Sequence, residues 1–247
     1  RRIGKSTIVE EFAKAEYDDY MLLDFAREST DIKDNFINNI NDLDTFFRNL
    51  FLLKGRSLHG KNCVIIFDEV QLFPWARQAI KYLVQDGRYE YIETGSLISI
   101  HKNVQNILIP SEEYKLKMYP MDFEEFLIAL DQNMLLDYIK ECYNANKQMG
   151  EALHEKAMNL YRCYMVTGGM PESVKNFVSA NFDYINYDTN ILKDILESYF
   201  NDMNKYVIGD AEALKIRALY NSLPSQLLNL SSKFQYSNIS KDARSRD

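Results

Sequence analysis

CVIIFDEVQ, residues 63–71, is the stretch on which the fold turns. Its apolar run from Cys63 to Phe67 does not alternate with polar residues. A strand of that kind is covered on both faces, which is the environment of a parallel sheet flanked by helices. Two carboxylates, Asp68 and Glu69, close the run. In open α/β sheets ligands bind at the carboxyl ends of the strands, so these two residues stand where chemistry is expected. Asp68 is the candidate to hold Mg2+, directly or through water, and Glu69 the candidate to polarise an attacking water. The plainer alternative is a polar turn after a core strand.

A partner for this stretch lies upstream. RRIGKST, residues 1–7, ends as a phosphate-binding loop ends, in the pattern G-x-x-x-x-G-K-S/T. Only the second half of the pattern is present, because its first glycine would fall before Arg1. Ile8, Val9, Phe12 and Ala15 follow at helical spacing, so a helix starts at the loop. A helix N-terminus directs free N–H groups and partial positive charge at an anion. Arg2, Ile3, Gly4, Lys5, Ser6 and Thr7 are therefore the candidate residues to bind the phosphates of a nucleotide, which the resemblance given below implies is ATP. Lys5 would reach the outer phosphates, and Ser6 would hold Mg2+ together with Asp68. The alternative is an exposed helix start capped by Ser6 or Thr7.

A third element fits the first two. YEYIETGSLISI, residues 89–100, reads as a strand over 89–94 and a glycine turn. Thr94 and Ser96 would lie beside the strand bearing Asp68, where a hydroxyl could contact the outer phosphate or the attacking water. Thr, Gly and Ser are also ordinary turn residues. Phosphoryl transfer needs mainly placement and charge neutralisation. Glu69, Thr94 and Ser96 are accordingly the catalytic candidates.

Composition bounds the remaining classes. The chain of 247 residues is 46% hydrophobic and 26% charged, with a net charge of −7. That charge argues against a general nucleic-acid coat, and no apolar run approaches a membrane span. Cys63, Cys142 and Cys163 show neither metal spacing nor a disulfide framework, which makes a reducing cytoplasm the expectation. The 17 Tyr and 14 Phe fall mostly at core spacing and read as packing residues.

Strands and helices alternate up to about residue 130, as in a doubly wound parallel sheet. The reading is helix 4–16, strand Tyr20–Ala26, helix 42–54, strand 63–69, helix 74–86, strand 89–94 and a short helix near 97–108. Pro74 and Gly87 bracket the third helix in the expected places. EYKLKMYPM, from Glu113 to Met121, alternates as a strand. After Phe123 the pattern is helical. DFEEFLIALDQNMLLDYIKECY reads as an amphipathic helix with Asp122 and Glu125 as a capping box. EALHEKAMNLYRCYMVTG follows, then a break at Gly168-Gly169, a helix from Pro171, and a long helix in NYDTNILKDILESYFNDMNKYV. The remainder reads as helix, turn, helix, extended piece and new helix start, which suits a winged-helix-like module.

RRIGKST, IIFDEVQ, IETGS, LIPSEEYKLKMYPMDFEEFL, GGMPESV and the tail LPSQLLNLSSKFQYSNISKDARSRD occur in this order in a family that the chain resembles. These are prokaryotic AAA+-like P-loop ATPases with a C-terminal domain of unknown function, distantly nuclease-like in fold. YPMDFEEFL and GGMP are the particular motifs. The resemblance implies an α/β P-loop NTPase core over 1–130, lacking its first strand and first motif glycine. It implies an all-helical lid over 131–208 and the start of a winged-helix-like segment over 209–247. It also implies truncation at both ends. ATP and Mg2+ are the cofactors implied, and a homo-oligomer is expected. Many relatives carry a Gly-Arg pair where this chain has Lys115 and Lys117. Arg1, Arg2 and Arg88 are the other candidates for a cation near phosphate, with Arg88 reading better as a solvated turn residue. Tyr119 and Phe123 are expected to pack, with the acidic pair Glu124-Glu125 facing solvent, and GGMPE to form a hinge.

Two readings stand side by side. One is an ATPase that drives conformational change in an attached domain. The other is a slow nucleotide-dependent switch that binds DNA or a protein partner through the winged-helix-like segment and its basic residues Lys233, Lys241, Arg244 and Arg246. A third, blander reading is that residues 1–247 alone are inactive without the strand before the loop.

Overall fold

The computed structural model describes residues 2–95, 113–204, 210–228 and 234–235. Ser96, the helix expected near 97–108, Arg1 and the basic tail residues Lys233 to Arg246 lie outside them. The chain divides into two compact units, Arg1–Pro120 and Met121–Asp247.

The first unit is built on a three-stranded parallel sheet in the order β1 (Asp19–Asp24), β2 (Cys63–Asp68), β3 (Glu90–Glu93). Helix α1 is Lys5–Glu16, α2 is Thr30–Asn39, α3 is Leu43–Lys54 and α4 is Pro74–Asp86. All six residues of β2 are buried, as its unbroken apolar run requires. Side chains of a strand alternate between faces, and here the parity is clean. Odd-numbered Met21, Leu23, Ile65, Phe67 and Tyr91 pack with residues of α2, α3 and α4. Even-numbered Tyr20, Leu22, Val64, Ile66 and Ile92 pack with Val9 and Ala13 of α1. The first face carries a ring cluster in which Phe25, Phe36, Phe67 and Phe73 meet at centroid separations of 5.3–5.9 Å. Removing one such buried ring costs about 3–5 kcal/mol.

Local chemistry sets the helix ends. The Ser29 and Asp42 side chains accept from the N–H groups of Ile32 and Thr45 at the starts of α2 and α3. Pro74 opens α4 and Gly87 closes it with φ 74°. Helix α2 lies in a stretch that reads as polar, because its apolar stripe is only Ile32 and Phe36. Its buried Asn35 is satisfied by donating to the Phe46 carbonyl at 3.0 Å. Strand β1 stops at Asp24 rather than Ala26, because the Asp24 carboxylate accepts from the Ala26 N–H at 2.9 Å and turns the chain.

The alternating stretch from Glu113 does not form a strand. Residues 113–119 make no ladder among the described residues, and Tyr119, expected to pack, is 70% exposed. Alternation marks a segment able to pair; a strand also needs a partner edge.

The second unit is helical: α5 Phe123–Ala129, α6 Asn133–Asn144, α7 Glu151–Thr167, α8 Pro171–Ser179, α9 Asn190–Asn204 and α10 Asp210–Leu227. The capping box at Asp122 and Glu125 is present in both halves. The stretch after it, expected as one helix, breaks at Asp131, which adopts φ 56° while its N–H and that of Gln132 return to the carbonyls of Ile128 and Leu127. Phe123 packs edge-on to Tyr161 at 5.2 Å, and Phe126, Val174, Phe177 and Tyr187 form the core. Helix α10 runs through Pro224, where a turn was expected. Ser222 and Ser225 donate to the carbonyls of Leu219 and Ser222 around the position where proline offers no N–H.

Candidate nucleotide site

Strand parity carries Asp68 to the face of the sheet that α1 covers, and the start of α1 meets it there. Gly4 caps α1 with φ 82°, a left-handed conformation that glycine adopts without strain, and the Ile8 N–H returns to its carbonyl at 2.9 Å. Lys5, Ser6 and Thr7 then form the first turn, with Arg2 and Ile3 just before it. The Ser6 hydroxyl donates to Asp68 Oδ1 at 2.9 Å across 62 residues of sequence. The same parity applies on β3. Thr94, 5% exposed, lies beside Asp68, which is 7% exposed, and its hydroxyl donates to the same Oδ1. Thr94 is held in turn by its own N–H to the Phe67 carbonyl at 2.8 Å and by its carbonyl to the Val70 N–H at 3.0 Å.

Glu69 leaves the strand in a left-handed conformation, φ 53° and ψ 39°. A non-glycine residue there is uncommon, and such conformations gather at functional sites. Its N–H points back at the cluster, 3.1 Å from Asp68 Oδ1 and 3.4 Å from Thr94 Oγ1. A 3-10 turn, Val70–Leu72, follows at once and brings the Gln71 amide onto the Glu69 carboxylate. Of the sequence candidates, Ser6, Asp68, Glu69 and Thr94 are thus joined by hydrogen bonds at one place.

Two residues of the site escaped the sequence reading. Gln71 is 4% exposed and touches Glu69; its signal was a lone polar residue inside Val70–Phe73. Asp24 ends β1 in register with Asp68 and shares its parity, so a third carboxylate stands at the same strand ends. Its even number, matched to Asp68 through the register, was the available clue.

The donor set suits a hard cation. Ser6, Asp68 and Thr94 offer oxygen only, and Mg2+ takes few protein oxygens, completing its shell with water and phosphate. Among the described residues no group of three or more His, Cys, Asp and Glu could cage a metal alone. These residues therefore fit a metal held jointly with a phosphate ligand.

On the opposite face of β3 lies a charged group of another kind. Glu93 and Glu113 share the buried Arg77 of α4, at 3.5 and 2.7 Å. Burial pushes the Glu93 carboxyl up to about 7, and the neighbouring Glu113 adds to the shift against the pull of Arg77. Arg88 is exposed at the turn between α4 and β3, as the sequence suggests, and there it pairs with Asp44 at 2.5 Å and Asp86 at 3.0 Å and lies over the Phe47 ring.

A parallel sheet with a glycine-capped helix on one face, and a strand-end aspartate facing that helix's first turn, is the core of a P-loop nucleotide-binding protein. Residues 1–127, more than half of the chain, match the AAA domain family, and the chain belongs to that AAA-like ATPase family. Residues 158–247 match a domain of unknown function, DUF8612. No curated protein and no solved structure gives a significant match. No helix among the described residues is long and apolar enough to cross a membrane.

Proposed function

We propose that the chain binds ATP with Mg2+ at the start of α1 and the end of β2, hydrolyses it, and couples turnover to conformational change in its helical part. The observation that carries this reading is the Ser6–Asp68 hydrogen bond at 2.9 Å, with Thr94 and the Glu69 N–H on the same carboxylate oxygen. The residues from Arg2 to Thr7 cradle the phosphates through main-chain N–H groups and the helix N-terminus, and Lys5 neutralises their charge. Ser6 and Asp68 hold Mg2+, which when bound supplies charge neutralisation on the transferred phosphoryl group. Glu69 orients the attacking water and accepts its proton. Thr94 fixes Asp68 and, with Ser96, senses the outer phosphate. Residues 131–208 act as a lid.

A slower switch is the second reading, and one observation favours it. Arg77 is buried in ion pairs with Glu93 and Glu113, and Arg88 precedes β3, at the strand ends away from Asp68, so neither stands where it could steady a developing phosphoryl charge. Turnover by the isolated protein would then be slow until a DNA or protein partner engages the C-terminal segment.

The deciding experiment is ATP turnover at saturating Mg2+ by the full-length protein beside Glu69→Gln, with nucleotide binding measured on both. Hydrolysis by the wild type, with a variant that binds but does not turn over, supports the ATPase. Binding by both with turnover by neither supports the switch. If neither binds, Gly4 to Ser6 are only a helix start.

A further inference from the structure

Among the residues at the strand ends, Gln71 has no part in the mechanism above. It is a buried amide, 4% exposed, at the centre of a turn that brings it against Glu69. Glu69 is the carboxylate assigned above to the attacking water, and nothing in a glutamate's own torsions fixes where its carboxylate points. The main chain at this point is pinned: the Glu69 N–H is held by Asp68 and Thr94, and the Val70 N–H by the Thr94 carbonyl. The turn closes through the Leu72 N–H to the Glu69 carbonyl at 2.9 Å and the Phe73 N–H to the Val70 carbonyl at 3.1 Å. That closure sets Gln71 over Glu69, and Gln71 Nε2 donates to Glu69 Oε2.

We infer that Gln71 is the positioning residue for Glu69: its amide holds one carboxylate oxygen so that the other is presented to the attacking water. The inference rests on the hydrolytic reading of Glu69. It explains why a polar side chain is buried between Val70 and Leu72, where an apolar one would pack at lower desolvation cost. It also explains the left-handed Glu69 backbone, since only a sharp reversal there lets a residue two positions on reach back to the carboxylate. An amide suits the task and a carboxylate would not, because a second negative charge at that distance repels the first.

The test is steady-state ATP hydrolysis by the full-length protein and by Gln71→Met, which keeps length and packing but has no N–H to give. The expected result is a kcat lowered about tenfold, the scale of losing a residue that orients a functional group, with KM and nucleotide affinity within about twofold and an unchanged melting temperature. A residue that merely packs would leave kcat alone, or lower stability and binding together. Should the Met variant fail to fold, Gln71→Leu removes the same donor at a similar volume and is expected to lower kcat as far. Wild-type kcat in the folded variant overturns the role of Gln71 alone, provided Glu69→Gln is inactive. A wild-type protein that does not hydrolyse ATP, or an active Glu69→Gln, overturns the hydrolytic reading first and the positioning role with it.

Discussion

The Ser6 hydroxyl and the Asp68 carboxylate lie 2.9 Å apart, joining the first turn of α1 to the last residue of β2. Asp68 also accepts from Thr94 and from the Glu69 N–H, so a single oxygen organises three other groups. Asp68→Asn keeps an acceptor oxygen for all three and removes only the charge. The fold should survive, with a melting temperature near that of wild type. The Mg2+ concentration for half-maximal ATP binding should rise at least about tenfold, as expected for losing a charged hydrogen-bonding partner. Equilibrium binding of a fluorescent ATP analogue across a Mg2+ titration reads it; an unchanged midpoint would remove Asp68 from the metal's shell.

Glu93 makes stability depend on pH in a definite direction. Its carboxyl is raised from 4.5 to about 7 by burial, so the folded state holds a proton that the unfolded chain has already lost between those values. Stability from this group is therefore full at low pH and declines as pH rises through about 7. Glu93→Gln removes the titration. At about pH 8 the variant should be more stable than wild type by up to about 3 kcal/mol, a ceiling set by the linkage relation, and the gap should close towards pH 4.5. Thermal unfolding of both proteins across that range tests it; a gap that does not vary with pH would mean an ordinary carboxylate.

Gly169 and Met121 touch through their main chains. The Met121 N–H donates to the Gly169 carbonyl at 2.7 Å, and a Cβ on Gly169 would stand 2.0 Å from the Met121 carbonyl oxygen. The motifs YPMDF and GGMP are thus two sides of one contact, braced by the Tyr164 hydroxyl on the same Met121 carbonyl at 3.0 Å. Gly169→Ala should cost about 3 kcal/mol, the upper range for overpacking, and lower the denaturant midpoint. An unchanged midpoint would show that the contact yields easily.

The capping box at the start of α5 offers a smaller effect. Asp122→Ala leaves the Glu125 N–H without its side-chain acceptor and should cost about 1 kcal/mol, while Asp122→Asn should retain most of the stability. Denaturant unfolding distinguishes them; equal losses would deny the cap its role.

Much of the architecture can be read from residue order because it depends on local chemistry. The unbroken run Cys63–Phe67 requires a strand covered on both faces, Pro74 and Gly87 delimit a helix, and Asp122 with Glu125 announces another. These follow from covalent geometry, solvation and hydrogen bonding within a few residues. Gly4 to Ser6 and Asp68-Glu69 likewise present themselves as phosphate and metal chemistry by type and spacing.

What needed the tertiary structure is whatever depends on a partner distant in sequence. Ser6, Asp68 and Thr94 converge because parallel pairing puts β1, β2 and β3 in one register and α1 covers the even-numbered face. Glu113 to Tyr119 alternate yet form no strand, since pairing rather than periodicity makes a ladder. Gln71 reaches Glu69 only because a left-handed residue and a 3-10 turn reverse the chain. Glu93 holds its proton only because packing takes its carboxyl out of water, against the pull of Arg77. A sequence specifies which groups a chain carries and which faces they prefer; desolvation and contact, which decide what those groups do, are set by packing alone.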